Sequence, residues 1–564
     1  MVHDKMTDKF TETDLLVIGG GIAGCCIAAK AAETGLSVTI LEKSHTRRSG
    51  NAGQGIDHYE SVPRGCVTPK LLTEKFQSEM TRINGGGRFG NPNLLYQYFA
   101  SQWDTIEELE KLGVPMKWDD GDYYFFNRPD MFPGERYWLR VHWQMIKPIL
   151  SKAVRDRGVN VFERVMATEL LKDKGRIAGA TAMNTRTGEF LVIKAKAVVM
   201  ATGIFQRCYD GESPMSGPYK LRYDGCPASL SGDGYAMAYR AGADLVNMDA
   251  NGWMFRCRDD LCISFGNFEH NDGLPSTYFT WDGEEFPFAD ALVYRKMEES
   301  GKAPLYRWLK HMPKDYHKRG ELCFVDEKMV DFKFAEDRRF NPQSHAYEVT
   351  PFKPLSFMAS TGIHIDENYS SRIPGLFAIG DAASPLHSCS VAAGSAFLLA
   401  KKLPEYLKTV PDLVIDIDQV ESAREIIFTP METEKPDTEP LELESAVRFI
   451  CERYVGILKS EGKLKEGLRR LGSLRRLVLP RVNAKNPHQI MRYLEARNVL
   501  DLAEVHINSC LLRKESRGNF IRLDYPDLDS SRDSILTHLR MEDGKAVNEL
   551  VMVPEMKPEY MKED

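Results

Sequence analysis

The chain has 564 residues, 43% of them apolar and 27% charged, so it can bury a sizeable core and is not disordered in composition. Two or three domains are expected at that length. The formal net charge of −7 gives no general attraction to nucleic acid or an anionic membrane, and no apolar run approaches the ~18 residues of a membrane span. The opening Met1-Val-His-Asp-Lys-Met-Thr-Asp-Lys is polar and lacks the apolar centre of a secretory signal, so a cytoplasmic protein is expected. Eleven cysteines are scattered without a C-x-x-C pair, which makes structural thiols the default and argues against an internal iron–sulfur cluster or other metal centre.

The first element is Asp14-Leu-Leu-Val-Ile-Gly-Gly-Gly-Ile-Ala-Gly24, closed by Val38-Thr-Ile-Leu-Glu42. It reads as strand, glycine turn, helix and second strand ending in an acid. Gly19 suits the tight turn, Gly21 lets backbone N–H groups reach a pyrophosphate, and Gly24 lets the helix pack close to the strand. Glu42 stands where a carboxylate accepts ribose hydroxyls. Ile22, Ala23 and Lys43 belong to the same unit. A second glycine-rich stretch follows and contributes Ser49, Gly50, Asn51, Gln54 and Gly55.

Further along, Ala197-Val-Val-Met-Ala-Thr-Gly203 is an apolar strand ending in small residues, with Ala201, Thr202 and Gly203 at its end. Arg372-Ile-Pro-Gly-Leu-Phe-Ala-Ile-Gly-Asp381 is a turn and strand ending in Gly380-Asp381. A nucleotide domain for NAD alone explains neither this late Gly-Asp turn nor the glycine stretch at 49–55. Met166, Asp233, Ser390 and Val391 complete the candidate cofactor contacts.

No internal repeat and no Pro/Gly/Ser-rich linker divides the chain. The cofactor-binding unit is expected to be discontinuous, 1–240 and 352–405. Residues 241–351 between them are rich in aromatic, His and Arg residues (Trp253 to Arg258, Tyr278 to Trp281, Tyr306-Arg-Trp308) and are expected to cap it. An acidic, proline-containing connector near 405–435 leads to helical periodicity over 440–515, so 406–564 is expected to be a mainly helical domain. The arginines at 469–470 and 475–476 read as a solvated helix face. The fold class expected is α/β: a Rossmann-like three-layer domain with an inserted α+β cap and a C-terminal helical domain.

The passages at 14–42, 197–203 and 372–381 resemble those by which FAD-dependent enzymes enclose FAD. Ser231-Gly-Asp-Gly-Tyr-Ala-Met-Ala238, Ser360-Thr-Gly-Ile363, Glu515-Ser-Arg-Gly518 and Asp524-Tyr-Pro526 extend the match along nearly the whole chain. Together they resemble the flavoprotein superfamily of succinate dehydrogenase, fumarate reductase and adenylylsulfate reductase. Arg48-Ser-Gly-Asn-Ala-Gly-Gln-Gly55, Arg140-Val-His-Trp-Gln-Met-Ile-Lys-Pro-Ile149 and Glu298-Glu-Ser-Gly-Lys-Ala-Pro-Leu-Tyr306 are most similar to the alpha chain of adenylylsulfate reductase.

The resemblance implies FAD, and its departures refine that expectation. Succinate dehydrogenases carry their flavin on a histidine after the Arg-Ser pair. Here Gly50 follows Arg48-Ser49, so FAD is expected without a covalent link, and Ser44-His45-Thr46 lies before the anchor. Where dicarboxylate enzymes place a histidine and an arginine to clamp carboxylates, this chain has Phe357 and Val391, which makes fumarate or succinate a poor substrate. Arg295 matches the cap arginine of the superfamily, Arg256 the position of a substrate histidine, and His387 flanks the substrate-side turn; these three are the catalytic candidates for a small anionic substrate. His364 reads as a strand position with a backbone hydrogen bond, and Lys147 as part of a helix packed over the flavin, on the same segment as His142. No second nucleotide fingerprint is present, so the resemblance implies electron exchange with a separate iron–sulfur, ferredoxin-like partner. Two alternatives stand beside it: a self-contained ene-reductase or dehydrogenase, and a flavin electron conduit without its own substrate.

Overall fold

The computed structural model describes residues 8–54, 56, 58–61, 90–118, 121–127, 137–141, 145–209, 227–249, 252–253, 277–286, 296–308, 346–349, 354–356, 361–383, 388–433, 437–517, 520–532 and 535–560. The first layers contain β1 (Lys9–Ile18), α1 (Ile22–Glu33), β2 (Val38–Glu42), α2 (Ile146–Asp156), β3 (Asn160–Glu163), β4 (Val165–Asp173), β5 (Arg176–Asn184), β6 (Phe190–Met200) and α3 (Asp233–Arg240). Then come β7 (Leu245–Val246), β8 (Gly362–Ile363), β9 (Leu376–Ala378) and α4 (Cys389–Lys408). Helices α5 (Pro440–Ile450), α6 (Glu461–Ser473) and α7 (Pro487–Leu512) precede strands β10 (Ile535–Glu542) and β11 (Lys545–Met552).

The main sheet has seven strands in the order β3-β2-β1-β6-β5-β4, with β9 pairing to β6 off that path. Strands β3, β2, β1, β6 and β9 run parallel, while β5 and β4 form an antiparallel arm. Leu15, Leu16, Val17 and Ile18 are all buried, as a parallel strand covered on both faces requires. Helix α1 packs against α2 and α4 over this sheet. Strand β9 arrives almost two hundred residues after β6 and still joins it, so one cofactor layer is assembled from two distant stretches of sequence.

Between them, strands Glu285–Phe286, Thr277–Thr280, Leu305–Trp308 and Ala346–Val349 form a separate antiparallel sheet. It holds Tyr278 and Phe279 buried. Two of the three aromatic segments expected to form a cap, those at 278–281 and 306–308, run through this sheet. Helix α7 is 26 residues long, started by the Asn486 side chain accepting from Gln489 N and by Pro487 at its first position. It is buried on nearly every face because α5, α6, α3 and the β10–β11 hairpin surround it.

The C-terminal stretch is less helical than expected. After α7 the chain forms the β10–β11 hairpin, which completes a second sheet in the order β8-β7-β10-β11. The turn signal was present in the sequence: Asp543-Gly544 lies between alternating residues, and both take positive φ, 48° and 73°. No helix among the described residues is long and apolar enough to cross a membrane. Six cysteines lie among the described residues, five of them buried.

Candidate cofactor and substrate site

The carboxyl ends of β1, β2 and β6 meet at the glycine turn. Gly19 has φ +102°, and a Cβ there would lie 2.4 Å from the Ala201 carbonyl oxygen. A Cβ on Gly24 would lie 1.8 Å from the Gly19 carbonyl oxygen, so α1 sits directly on the strand end. Gly21 is different, because a Cβ there would meet no atom within 4 Å. It opens onto the N-terminus of α1, whose first turn has neither a side-chain cap nor an acid. Free N–H groups and the helix dipole make that opening an anion site. The turn is braced from behind, where the Gly20 carbonyl accepts from Ser49 Oγ at 3.0 Å and from Lys147 Nζ at 2.5 Å.

Glu42 is buried at the end of β2; its Oε2 accepts from Gly20 N at 2.7 Å and its Oε1 from Ser44 N at 2.6 Å. Each carboxylate oxygen keeps a lone pair for a further donor. Gly50 has φ +74°, and its Cβ position lies 3.3 Å from Gly21 Cα, so the 49–54 loop closes on the phosphate turn. Opposite, Asp381 is half-buried with its Oδ1 shut away from solvent, and Asn51 Nδ2 lies 3.4 Å from its Oδ2. Burial pushes its carboxyl up to about 7, and the Asn51 hydrogen bond offsets only part of that.

These groups wall one cleft of about 1370 Å³, the open solvent at its mouth included. Of the residues expected from sequence, Gly19, Gly21, Ile22, Ala23, Glu42, Lys43, Ser49, Gly50, Asn51, Met166, Ala201, Thr202, Gly203, Asp233 and Asp381 line it. Gly24, Gly380, Ser390 and Val391 stand behind the wall. Gly380 N donates to Ser395 Oγ at 2.9 Å, and Val391 N is taken by the Ser388 cap of α4 at 3.1 Å. Gln54 ends the short helix Asn51–Gln54. Lys43 reaches the wall, but its ammonium is held by Asp233 at 2.6 Å and Glu495 at 2.7 Å. Gly55, Arg256, Arg258, Arg295, His387, His142 and Phe357 lie outside the described residues. His364 N donates to Asp244 O at 2.9 Å, the backbone hydrogen bond expected, although the residue lies one position past strand β8.

Sequence reading missed Gln206, Leu230, Met237, Ser388 and Cys389, which also line the cleft. Ser388 was detectable as the cap before an apolar helical run; Met237 and Cys389 are brought in by the placement of α3 and α4, and Gln206 and Leu230 by loop geometry alone. Four buried polar atoms on this wall have no hydrogen-bond partner among the described residues: Asn51 Oδ1, Thr202 Oγ1, Gln206 Oε1 and Asp381 Oδ1. Buried polar atoms are rarely left unsatisfied, so this wall is built to receive donors. An anion site, a ribose-facing carboxylate and an elongated cleft with orphaned acceptors fit a dinucleotide with a polyhydroxyl chain. His45 does not line the cleft; its Nδ1 lies 3.6 Å from Glu163 Oε1.

The chain matches solved structures of this architecture. Adenylylsulfate reductase from Archaeoglobus fulgidus aligns with a TM-score of 0.80 at 22% identity, covering 98% of this chain and 97% of that one. E. coli quinol fumarate reductase gives 0.77 at 19% identity, with 99% and 100% covered. Among curated proteins, L-aspartate oxidase of Pseudomonas aeruginosa is 26% identical, covering 93% of this chain and 97% of its own length. One subunit of the CoM/CoB fumarate reductase of Methanothermobacter marburgensis is 24% identical, with 95% and 99% covered. The family model described as FAD binding domain matches residues 14–396, and the fumarate reductase flavoprotein C-terminal model matches 445–556. The chain therefore belongs to the FAD-binding flavoprotein family of the fumarate reductase type. It is an FAD-dependent oxidoreductase, and FAD is its cofactor.

Asp381 offers a test with two opposed readouts. A carboxyl raised by burial favours the folded state most at pH values below its unfolded pKa near 3.9, and that contribution is lost as pH rises through about 7. In flavin-stripped protein, Asp381→Asn is therefore expected to raise the thermal midpoint at pH 8 and to match wild type near pH 4. The same substitution is expected to weaken FAD binding about tenfold by removing an ionised acceptor. Fluorescence titration with FAD and melts across pH check both.

Proposed function

We propose that this chain is the flavoprotein component of an enzyme that reduces or oxidises a small anionic substrate at non-covalently held FAD. In this reading it exchanges electrons with an iron–sulfur, ferredoxin-like partner. When bound, the flavin would supply two-electron hydride exchange at its ring. The chain's own part is to seat the diphosphate on the α1 N-terminus, engage the ribityl chain at Asp381, and shield the ring from water beneath the cap. Arg256, Arg295 and His387 are proposed to hold the anionic substrate and manage its proton. A free arginine is a poor acid and needs a neighbouring carboxylate to act as one.

The observation that carries this reading is Val391. It is apolar and 2% exposed, and Cys389 and Ala392, which face the cleft beside it, are uncharged too, where dicarboxylate enzymes of the resemblance keep a cationic clamp. That disfavours fumarate, succinate or aspartate as substrate, although relatives are named for the first and last of these. Gly50 and the remote His45 support a flavin without a covalent bond. The partner is supported by the naming of one relative as a single component of a larger enzyme.

The test combines purification and colour. Expected results are a yellow supernatant after acid precipitation and a brown companion protein that co-purifies under mild conditions. Full turnover by the yellow chain alone would favour the self-contained dehydrogenase and remove the partner. Photoreduced protein that adenylylsulfate, fumarate and other small anions all fail to reoxidise, yet that reduces a ferredoxin, would favour the conduit. Rapid reoxidation by fumarate would contradict the substrate reading.

A further inference from the structure

A second polar cluster lies away from the cofactor cleft, where β7, β8 and β10 run side by side. The register pairs Leu245 with Ile363 and Val246 with His538, so Asp244, His364 and His538 fall on one face of that sheet. One side-chain ligand atom from each, a carboxylate oxygen and two imidazole nitrogens, can be chosen so that all lie within 4.8 Å of one another. The two imidazole rings sit 4.6 Å apart and tilted by 55°, and His538 Nδ1 lies 3.9 Å from Asp244 Oδ2.

His538 is 4% exposed, and its Nε2 has no hydrogen-bond partner among the described residues. A buried imidazole with an unpartnered nitrogen is an anomaly that calls for a missing ligand. Asp244 is steadied from outside, by Arg540 at 3.4 Å and Arg372 at 3.8 Å, and Arg540 is in turn bonded to Glu542 and Glu549. A carboxylate has lone pairs enough for both arginine contacts and a metal, and such outer partners orient a ligating carboxylate.

We propose that Asp244, His364 and His538 form a three-ligand site for a divalent transition-metal ion of the Zn²⁺ type. Two imidazoles and a carboxylate are a ligand set suited to Zn²⁺, leaving a fourth position for water. Closing the cluster to Zn–N and Zn–O distances of about 2.0–2.2 Å requires movements of under about 1 Å per side chain. None of the three lines the FAD cleft, so the ion would pin the C-terminal hairpin to strands β7 and β8 rather than meet the flavin.

The experiment uses full-length, FAD-loaded protein dialysed against EDTA and titrated with Zn²⁺ by calorimetry. Co²⁺ is then read by its absorption beyond 550 nm, clear of the flavin bands. Wild type is expected to bind one equivalent more than His538→Gln and His364→Gln, and its thermal midpoint is expected to rise with Zn²⁺ while theirs stay put. Asp244→Asn, on a different strand, serves if one histidine variant fails to fold. Equal stoichiometry in wild type and variants, as cysteine binding alone would give, overturns the proposal. Absence of binding to wild type overturns it too.

Discussion

Gly21→Val is expected to yield a folded protein that no longer retains FAD, whereas Gly24→Val is expected to fail in folding. Both glycines belong to one motif, yet their surroundings differ. A Cβ at Gly21 meets nothing within 4 Å, and its φ of −66° suits any L-residue, so valine costs the fold little. Its methyl groups instead occupy the space through which a diphosphate reaches the first N–H groups of α1. FAD affinity should fall by about 100-fold or more, since both the hydrogen bonds and the helix-terminus attraction are displaced. At Gly24 the new Cβ would lie 1.8 Å from a backbone oxygen, which nothing but movement of α1 against β1 can relieve. Overpacking against backbone should cost about 3 kcal/mol or more. The ratio of 450 to 280 nm absorbance, with circular dichroism, separates the two outcomes. A yellow, fully occupied Gly21→Val protein would mean that the diphosphate does not sit on this turn.

Glu495→Ala is expected to lower stability by about 3–5 kcal/mol, the range for removing one partner of a buried ion pair. Glu495 on α7 accepts from Lys43 at 2.7 Å, Arg207 at 2.6 Å and Arg492 at 2.6 Å, and is 2% exposed. Glu444 on α5 shares Arg207 and Arg492, while Asp233 shares Lys43. Removing Glu495 leaves Lys43 and Arg207 short of a counter-charge in a dry site between the cofactor domain and the helices. Burial alone would raise the Glu495 carboxyl, but Arg207, Lys43 and Arg492 overcome that and hold it well below the usual range. A depressed carboxyl contributes stability above its unfolded pKa and loses it only as pH falls through the folded value. The gap between wild type and variant should therefore be constant from pH 5 to 8, measured as the urea midpoint of the FAD-loaded protein. Because Lys43 and Asp233 also wall the cleft, FAD release should accelerate in the variant. An unchanged midpoint would show that this network is not what joins the helices to the cofactor layer.

Much of the cofactor site was legible because its physics is local. A tight turn, a close helix and an open phosphate seat each need glycine at fixed spacing, and Glu42 is reached by counting along one strand–helix–strand unit. The Asp381 turn was legible for the same reason, as a short strand closed by glycine and acid. Other positions in the set were placed by likeness to relatives, and Val391 shows the limit of that method. It lies in the first turn of α4, the Ser388 cap consumes its N–H and its side chain is buried, so Cys389 and Ala392 face the cleft instead.

By itself, then, the sequence determined the nucleotide turn, the acid that ends β2, the parallel strands and the long helices, since each is encoded by periodicity or by a backbone demand within about thirty residues. Tertiary structure alone decided that β9 closes onto β6, that Gln206 and Asn51 turn unpaired acceptors into one cleft, and that Glu495 neutralises Lys43 from 452 residues away. It also decided that Asp244, His364 and His538 share a face. Spacing along a chain carries no information about such meetings, because they depend on which distant surfaces pack together and on how a sheet sets its register.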